Sequence, residues 1–222
     1  MKFLKYLVAM VVAITLVACG GGGGGGSTTG DGTSTPELPA SVEVLVSTNA
    51  VTSGGSVVDI TAFVKNKTNV AMAGQAVSFS ASSGVLTVSS SSTDDNGVAT
   101  AKLSAGSDKA VRDITVTVTS GSVSGQVVVP VTGTTLSIAG SGALQAGGAA
   151  TQYTIRAMDS SNNPIRDAKV SVSSALGNPL TSKSLTTDAT GSATFLYTPN
   201  IAGDDKLNVS GLGVSSSAMV NV

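Results

Sequence analysis

From Ser41 onward, apolar residues recur at every second position. Val42, Val44 and Val46 share one parity, as do Ile60, Ala62 and Val64, and then Ile114, Val116 and Val118. A period of two places successive side chains on opposite faces of a strand, so each run predicts a strand with one buried face. No 3.6-residue stripe follows the first 18 residues. Turn-forming clusters separate the runs at Ser53-Gly54-Gly55, Asn96-Gly97, Ser120-Gly121, Gly147-Gly148 and Asn162-Asn163-Pro164. Short strands broken by turns every 8–12 residues or so predict an all-β sandwich or barrel.

The pattern is used twice. Ile60 to Val64 matches Tyr153 to Ala157 at an offset of 93, and Ala76 to Ser80 matches Lys169 to Ser173 at the same offset. Thr93-Asp94-Asp95-Asn96-Gly97-Val98-Ala99-Thr100 matches Thr187-Asp188-Ala189-Thr190-Gly191-Ser192-Ala193-Thr194 at 94, and Val116 to Val131 matches Leu207 to Val222 at 91. A nearly constant offset through four blocks means two copies of one unit, divided near Thr132-Gly133-Thr134. The expected organisation is a first domain over 40–133 and a second over 134–222, joined by a short linker that limits hinge motion.

The N-terminus follows other rules. Lys2 and Lys5 precede an apolar run of 13 residues, Tyr6 to Ala18. A membrane-spanning helix needs roughly 20 apolar residues, whereas the core of a secretion signal needs about 7–15. Residues 1–18 therefore read as a signal peptide. Its end, Leu16-Val17-Ala18-Cys19, resembles the bacterial lipobox, in which the Cys is lipidated on its thiol and becomes the first mature residue. That resemblance implies a lipid attachment at Cys19, and Gly20 at the next position implies sorting to the outer membrane. Gly20 to Gly26 is unbroken glycine, and Ser, Thr, Gly, Asp and Pro continue to Pro39. This composition cannot bury enough apolar surface to offset backbone ordering, so 19–39 is expected to be a disordered tether. No strand precedes the glycine run and no Gly-Lys-Ser/Thr ends it, which excludes a phosphate-binding loop.

Composition narrows the chemistry. The 222 residues include no His, no Trp and one Cys, with 3% aromatics. A Ser-His-Asp triad, a Cys-His pair, a His-bearing zinc site and an intrachain disulfide are all excluded. Losing Lys2 and Lys5 with the signal leaves 10 basic residues against 13 acidic, too few for phosphate neutralisation along a nucleic acid. The chain is read as no enzyme, without cofactor, with Val, Ile and Leu packing the core and burial alone holding each domain. Phe63, Phe79, Tyr153, Phe195 and Tyr197 are read as packing residues and not as a ligand platform.

In each copy a strand reads Val-Ser-Phe or Val-Ser-Val, a Thr-Asp-x-x-Gly-x-Ala-Thr block follows, and the unit ends in Val-rich sequence. This resembles the bacterial Ig-like domain of the invasin/intimin type, called Big-1, over residues 40–222 in two copies. The resemblance implies tandem Ig-like β-sandwiches of the kind that build adhesin stalks. Copy one departs at Asn66-Lys67-Thr68-Asn69-Val70-Ala71, which lacks the Asp and Pro found at Asp159-Ser160-Ser161-Asn162-Asn163-Pro164.

The block also has a physical reading. Asp94 and Asp188 are expected to accept backbone N–H groups in Asx-type turns, and Gly97 and Gly191 to supply a positive φ. Asp94-Asp95-Asn96 resembles a fragment of a calcium loop, but calcium takes six to eight oxygens, usually with a carboxylate late in the loop, and no Glu follows. The turn reading prevails, and no metal is assigned. Asp204-Asp205 is placed in a late turn. No further domain follows Val222, so any adhesion is expected of the modules themselves. The function expected is a non-catalytic lipoprotein, lipid-anchored in the outer membrane on its surface or periplasmic face, serving as an adhesin segment or spacer. Its partners would be the membrane, through the lipid, and a host or cell-envelope protein or glycan. The alternative is a glycan- or protein-binding module that uses the loops of the second domain.

Overall fold

Fifteen strands and no helix follow from the alternation, within residues 37–222, the part described by the computed structural model. Residues 1–36, which hold the signal sequence, Cys19 and most of the tether, lie outside the described residues. The first eight strands are β1 (Ser41–Val46), β2 (Val51–Thr52), β3 (Val57–Lys65), β4 (Ser78–Ala81), β5 (Val85–Val88), β6 (Val98–Ser104), β7 (Arg112–Ser120) and β8 (Val123–Thr132). They form two facing sheets, ordered β1-β3-β6-β5 and β2-β8-β7-β4. The remaining seven are β9 (Thr135–Ala139), β10 (Thr151–Met158), β11 (Lys169–Ser174), β12 (Ser184–Thr186), β13 (Ser192–Tyr197), β14 (Asp204–Gly211) and β15 (Val214–Asn221). Their sheets are β13-β10-β9 and β12-β11-β14-β15. The fold is all-β, in two tandem Ig-like sandwiches.

Packing follows the period of two. In the first sandwich β3 turns Val58, Ile60, Ala62 and Val64 inward, and β6 turns in Ala99, Ala101 and Leu103. The register sets Val58 opposite Leu103, Ile60 opposite Ala101 and Ala62 opposite Ala99. Ile114, Val116 and Val118 of β7 close the core from the other sheet. Each such side chain contributes roughly 1.5–3 kcal/mol by burial. A one-residue slip of β3 would turn Asp59, Thr61 and Phe63 inward, which fixes the register. Phe79 is half-buried and packs at the margin of this core, whereas Phe63 is half-buried on the outer face of β3.

The second core adds to its aliphatic side chains three of the aromatic residues read as packing. Tyr153 on β10 stacks on its cross-strand neighbour Phe195 with ring centroids 5.7 Å apart. It also meets Tyr197 edge-on at 5.7 Å. All three rings are buried, together with Leu207 and Val209 from the opposite sheet. Gly140 lies where a Cβ would strike the Tyr153 ring, so a glycine is needed beneath it.

One connection changes sheets in both sandwiches. In the first, β5 pairs with β6, and the chain then crosses so that Ser92 bridges Ala76. In the second, Leu180 bridges Tyr197 before β12 joins β11 on the other sheet.

Candidate functional site

The repeated Thr-Asp-x-x-Gly block forms the same tight turn twice. Asp94 Oδ1 accepts the backbone N–H groups of Asn96 and Val98, both at 2.9 Å. Asp188 Oδ1 accepts those of Thr190 at 2.8 Å and Ser192 at 3.0 Å, and the Thr190 hydroxyl at 2.7 Å. These donors hold both carboxyls below their ordinary range, led by the Val98 N–H at Asp94 and by the Thr190 hydroxyl at Asp188. Gly97 has φ +72° and Gly191 φ +71°. A Cβ on Gly97 would lie 2.9 Å from Met72 N and Val64 O, and one on Gly191 would lie 2.6 Å from Ala157 O. Conformation and close approach therefore both demand glycine. Asp94 Oδ1 is occupied by these backbone donors. Among the described residues, no three His, Cys, Asp or Glu side chains gather to hold a metal ion.

The threonine of each block has a role that sequence reading missed. Thr93 Oγ1 donates to Met72 O at 2.6 Å and accepts from Gln75 N at 2.9 Å. Thr187 Oγ1 donates to Ile165 O at 2.6 Å and accepts from Ala168 N at 2.9 Å. Both hydroxyls are buried and pin the preceding loop to the turn.

The loop that differs in sequence between copies has one geometry. Asn66 Oδ1 accepts the N–H groups of Thr68 at 3.0 Å and Val70 at 2.8 Å. Asp159 Oδ1 accepts those of Ser161 at 2.8 Å and Asn163 at 2.9 Å. Asn69 and Asn162 occupy the left-handed region at φ 63° and 60°, which Asn tolerates. An amide oxygen thus replaces a carboxylate oxygen without changing the turn. Burial works to raise the Asp159 carboxyl, but the Asn163 and Ser161 donors, with Lys109 nearby, hold it below its ordinary range.

The Asp159 turn also docks on the first sandwich. Ser160 N–H donates to Ser53 Oγ at 3.0 Å, and Gly54 N–H donates to Ser160 Oγ at 2.7 Å. Val111 N–H donates to Leu212 O at 2.8 Å, and the Thr134 hydroxyl donates to Lys109 O. Gly54, Gly133 and Gly213 line this seam, where a Cβ would collide with Ser160 or Ser161, with Ser160, and with Val111 respectively. Serines and glycines are common in every turn of this chain, so nothing in the sequence marked these ones.

Asp204-Asp205 is corrected from a turn to the start of β14. Asp204 points outward and accepts from Asn221 Nδ2 at 2.7 Å. Asp205 points inward and is fully buried. Its carboxylate accepts Ser174 Oγ at 2.5 Å, Tyr197 OH at 2.9 Å, Asn178 Nδ2 at 3.0 Å and Leu176 N–H at 3.0 Å. Burial opposes the charge, yet the four donors together bring its pKa to about 2. Burial and the neighbouring carboxylate push the Tyr197 phenol upward. A carboxylate this acidic is a weak base at neutral pH, so the Ser174 hydroxyl keeps its proton. The network is a structural polar core. Beside it lies a shallow depression of about 200 Å³ lined by Ser173, Asn178, Pro179, Leu180 and Lys183.

These features define a tandem Ig-like β-sandwich protein. Residues 41–132 match the family model of the Bacterial Ig-like domain (group 1). No curated protein matches the chain. In fold it is similar to the Yersinia pseudotuberculosis adhesin InvE, with a TM-score of 0.54 and 17% identity over 81% of this chain and 58% of that one. Invasin, a bacterial integrin-binding protein, aligns at TM-score 0.40 and 20% identity over 81% of this chain and 38% of its own. A C-terminal 282-residue fragment of intimin, solved in complex with the intimin-binding domain of the translocated intimin receptor Tir, aligns at 0.39 and 18% over 82% and 64%. The chain therefore spans less than two thirds of the length of each.

Proposed function

We propose that the chain is a non-catalytic lipoprotein, anchored through Cys19 in a bacterial outer membrane. A tether over 19–39 would raise two Ig modules, 40–133 and 134–222, which act as an adhesin segment or spacer at the cell surface or periplasmic face. The observation that carries this is the family match of residues 41–132, followed by a second sandwich with a closely similar strand plan. The second module is read as another member of the same family, and Asp94, Gly97, Asp188 and Gly191 as its shared turn scaffold. The relatives named above support a protein partner, since invasin and intimin are each described with one. Leu16-Val17-Ala18-Cys19 after a basic and apolar leader supports the anchor.

A lipid-bearing Cys19 predicts that Cys19→Ser yields unprocessed or soluble protein. A processed variant that still enters the detergent phase would sink the anchor. Protease shaving of intact cells separates a surface adhesin, which is cleaved, from a periplasmic spacer, which is protected. A second reading, loop-mediated binding by the second module, is favoured by the depression beside Asn178 and Lys183. Burial of Tyr153, Phe195 and Tyr197 removes the aromatic rings on which a sugar would stack.

A further inference from the structure

Among the described residues every strand pairing is antiparallel except two, and both join the opening segment of a sandwich to its last strand. In the first sandwich β2 runs parallel to the end of β8, with Val51 opposite Val131 and Thr52 opposite Thr132. Ser53 N–H extends the pairing to Thr132 O at 2.8 Å. In the second, Ala143 bridges Asn221 in parallel register. Leu144 N–H donates to Asn221 O at 2.8 Å, and Asn221 N–H donates to Gly142 O at 2.9 Å.

Direction decides what these pairings do under load. The chain enters the first sandwich beside the β7–β8 turn, where Pro39 lies 3.8 Å from the Cβ position of Gly121. It leaves at the far end of β8, ten residues or about 33 Å away. A pull between the chain's ends therefore draws β2 and β8 along their own axes in opposite senses. Parallel strands loaded in this way resist in shear, and their hydrogen bonds share the load instead of opening one by one. The opening segment of the second sandwich meets β15 in the same sense.

We propose that the two parallel pairings are force-bearing clamps, and that the chain is built to hold tension between its N-terminal and C-terminal ends. The seam continues the load path. Ser53 closes the first clamp with its N–H and accepts Ser160 N–H on its hydroxyl. Only Gly133 and Thr134 separate β8 from β9. Tension-bearing deepens the anchored-spacer reading and rests on it for its purpose, while the clamp itself can be measured wherever the protein resides.

The test is single-molecule pulling of the full chain carrying Cys19→Ser, in two geometries. Handles at Leu38→Cys and at the C-terminal end load both clamps in shear. The expected record is two unfolding events, each releasing about 300 Å of chain. Handles at Leu38→Cys and Ser122→Cys, two exposed positions at the same end of the first sandwich, load it by peeling. Rupture force there should fall at least about two-fold, because bonds shared in shear then break in turn. Unchanged thermal melts of both handle variants establish that the fold is the same. Equal rupture forces in the two geometries would overturn the clamp and leave lipid anchoring untouched. A strong shear response in a protein that Cys19→Ser fails to release would sink the anchor and leave the clamp standing.

Discussion

Where the first sandwich carries Ile60, Ala101, Leu103 and Ile114, the second carries Tyr153, Phe195, Tyr197 and Asp205 at matched register positions. The strand plan is closely similar, yet one interior is aliphatic and the other is aromatic with a buried carboxylate. The exchange works because its members change together. A ring at Phe195 needs the ring of Tyr153 to stack on, Tyr153 needs Gly140 beneath it, and Asp205 needs all four of its donors. A single member moved alone has no such support.

The hardest break is therefore a one-sided exchange. Ile114→Asp would bury a carboxylate beside Leu103 with no donors aimed at it. Asp205→Ala would strip the acceptor from Ser174, Asn178, Tyr197 and the Leu176 N–H. Each is expected to destabilise its own sandwich by roughly 3–5 kcal/mol. Tyr153 and Tyr197 are the only tyrosines among the described residues, so tyrosine fluorescence follows the second sandwich while circular dichroism follows both. Urea unfolding should show the tyrosine midpoint collapse in Asp205→Ala and persist in Ile114→Asp. An unmoved tyrosine midpoint in Asp205→Ala would show that the network holds nothing.

The comparison also shows what a sequence carries. The period of two placed Ile60, Ala62, Val64 and Ile114, Val116, Val118 inward, because alternation is a local property of the strand. Val44 and Val46 share that period but stay half-buried, because β1 lies at a sheet edge. Asp205 was illegible as a core residue, since its donors come from Ser174, Leu176, Asn178 and Tyr197 on separate segments. An acidic pair reads locally as a turn, and only the assembled donors make its burial affordable. The loop at Asn66 differed in letters and matched in geometry, because an amide and a carboxylate oxygen accept the same N–H groups. Ser53 and Ser160 were invisible for the opposite reason, being ordinary turn residues until the two sandwiches meet. Cys19 rests on its motif alone, outside the described residues.

Next in size are the twin turns. Gly97→Val and Gly191→Val would each force a β-branched residue into the left-handed region, at about 1–2 kcal/mol before any clash. The closer approach at Gly191, 2.6 Å to Ala157 O against 2.9 Å at Gly97, predicts the larger loss in the second sandwich. Thermal melts should fall by the same amount in calcium and in chelator. A wild-type melting temperature that rises with calcium, with the gain absent in Gly97→Val, would make Asp94, Asp95 and Asn96 metal ligands.

Acid should separate the sandwiches more gently. Asp205 has a folded pKa of about 2 against an ordinary 3.8, so folding favours its charged form. Its contribution is complete above about pH 3.8 and is lost as pH falls toward 2, about 2 kcal/mol in all. The matched residue in the first sandwich is Ile114, which does not titrate. Asp94 and Asp188 occupy equivalent turns and act alike on both, while Asp159, matched by the non-titrating Asn66, adds to the acid loss of the second sandwich. The tyrosine-reported midpoint should therefore fall faster between pH 4 and 2 than the first sandwich's transition. Parallel decline of the two would mean that the buried carboxylate is not the difference.

The smallest expected effect sharpens the comparison at the seam. Asp159 and Asn66 hold the same turn, so Asp159→Asn keeps the Oδ1 acceptor for Ser161 and Asn163. It turns an amide toward Asn163 Nδ2, where Oδ2 now accepts at 3.2 Å, and it removes the charge near Lys109. A lost hydrogen bond of this kind costs about 0.5–1.5 kcal/mol. Because folding lowers the Asp159 pKa, its ionised form stabilises the fold above the ordinary carboxyl value, and that support is lost as pH falls below it. The variant should accordingly be slightly weaker than wild type at pH 7 and converge on it in acid. Asn66→Gly, which removes the acceptor itself, should cost more than Asp159→Asn in the same melts. If Asp159→Asn proves the more damaging of the two, the carboxylate charge and not the shared oxygen geometry holds the turn, and the equivalence of the two loops fails.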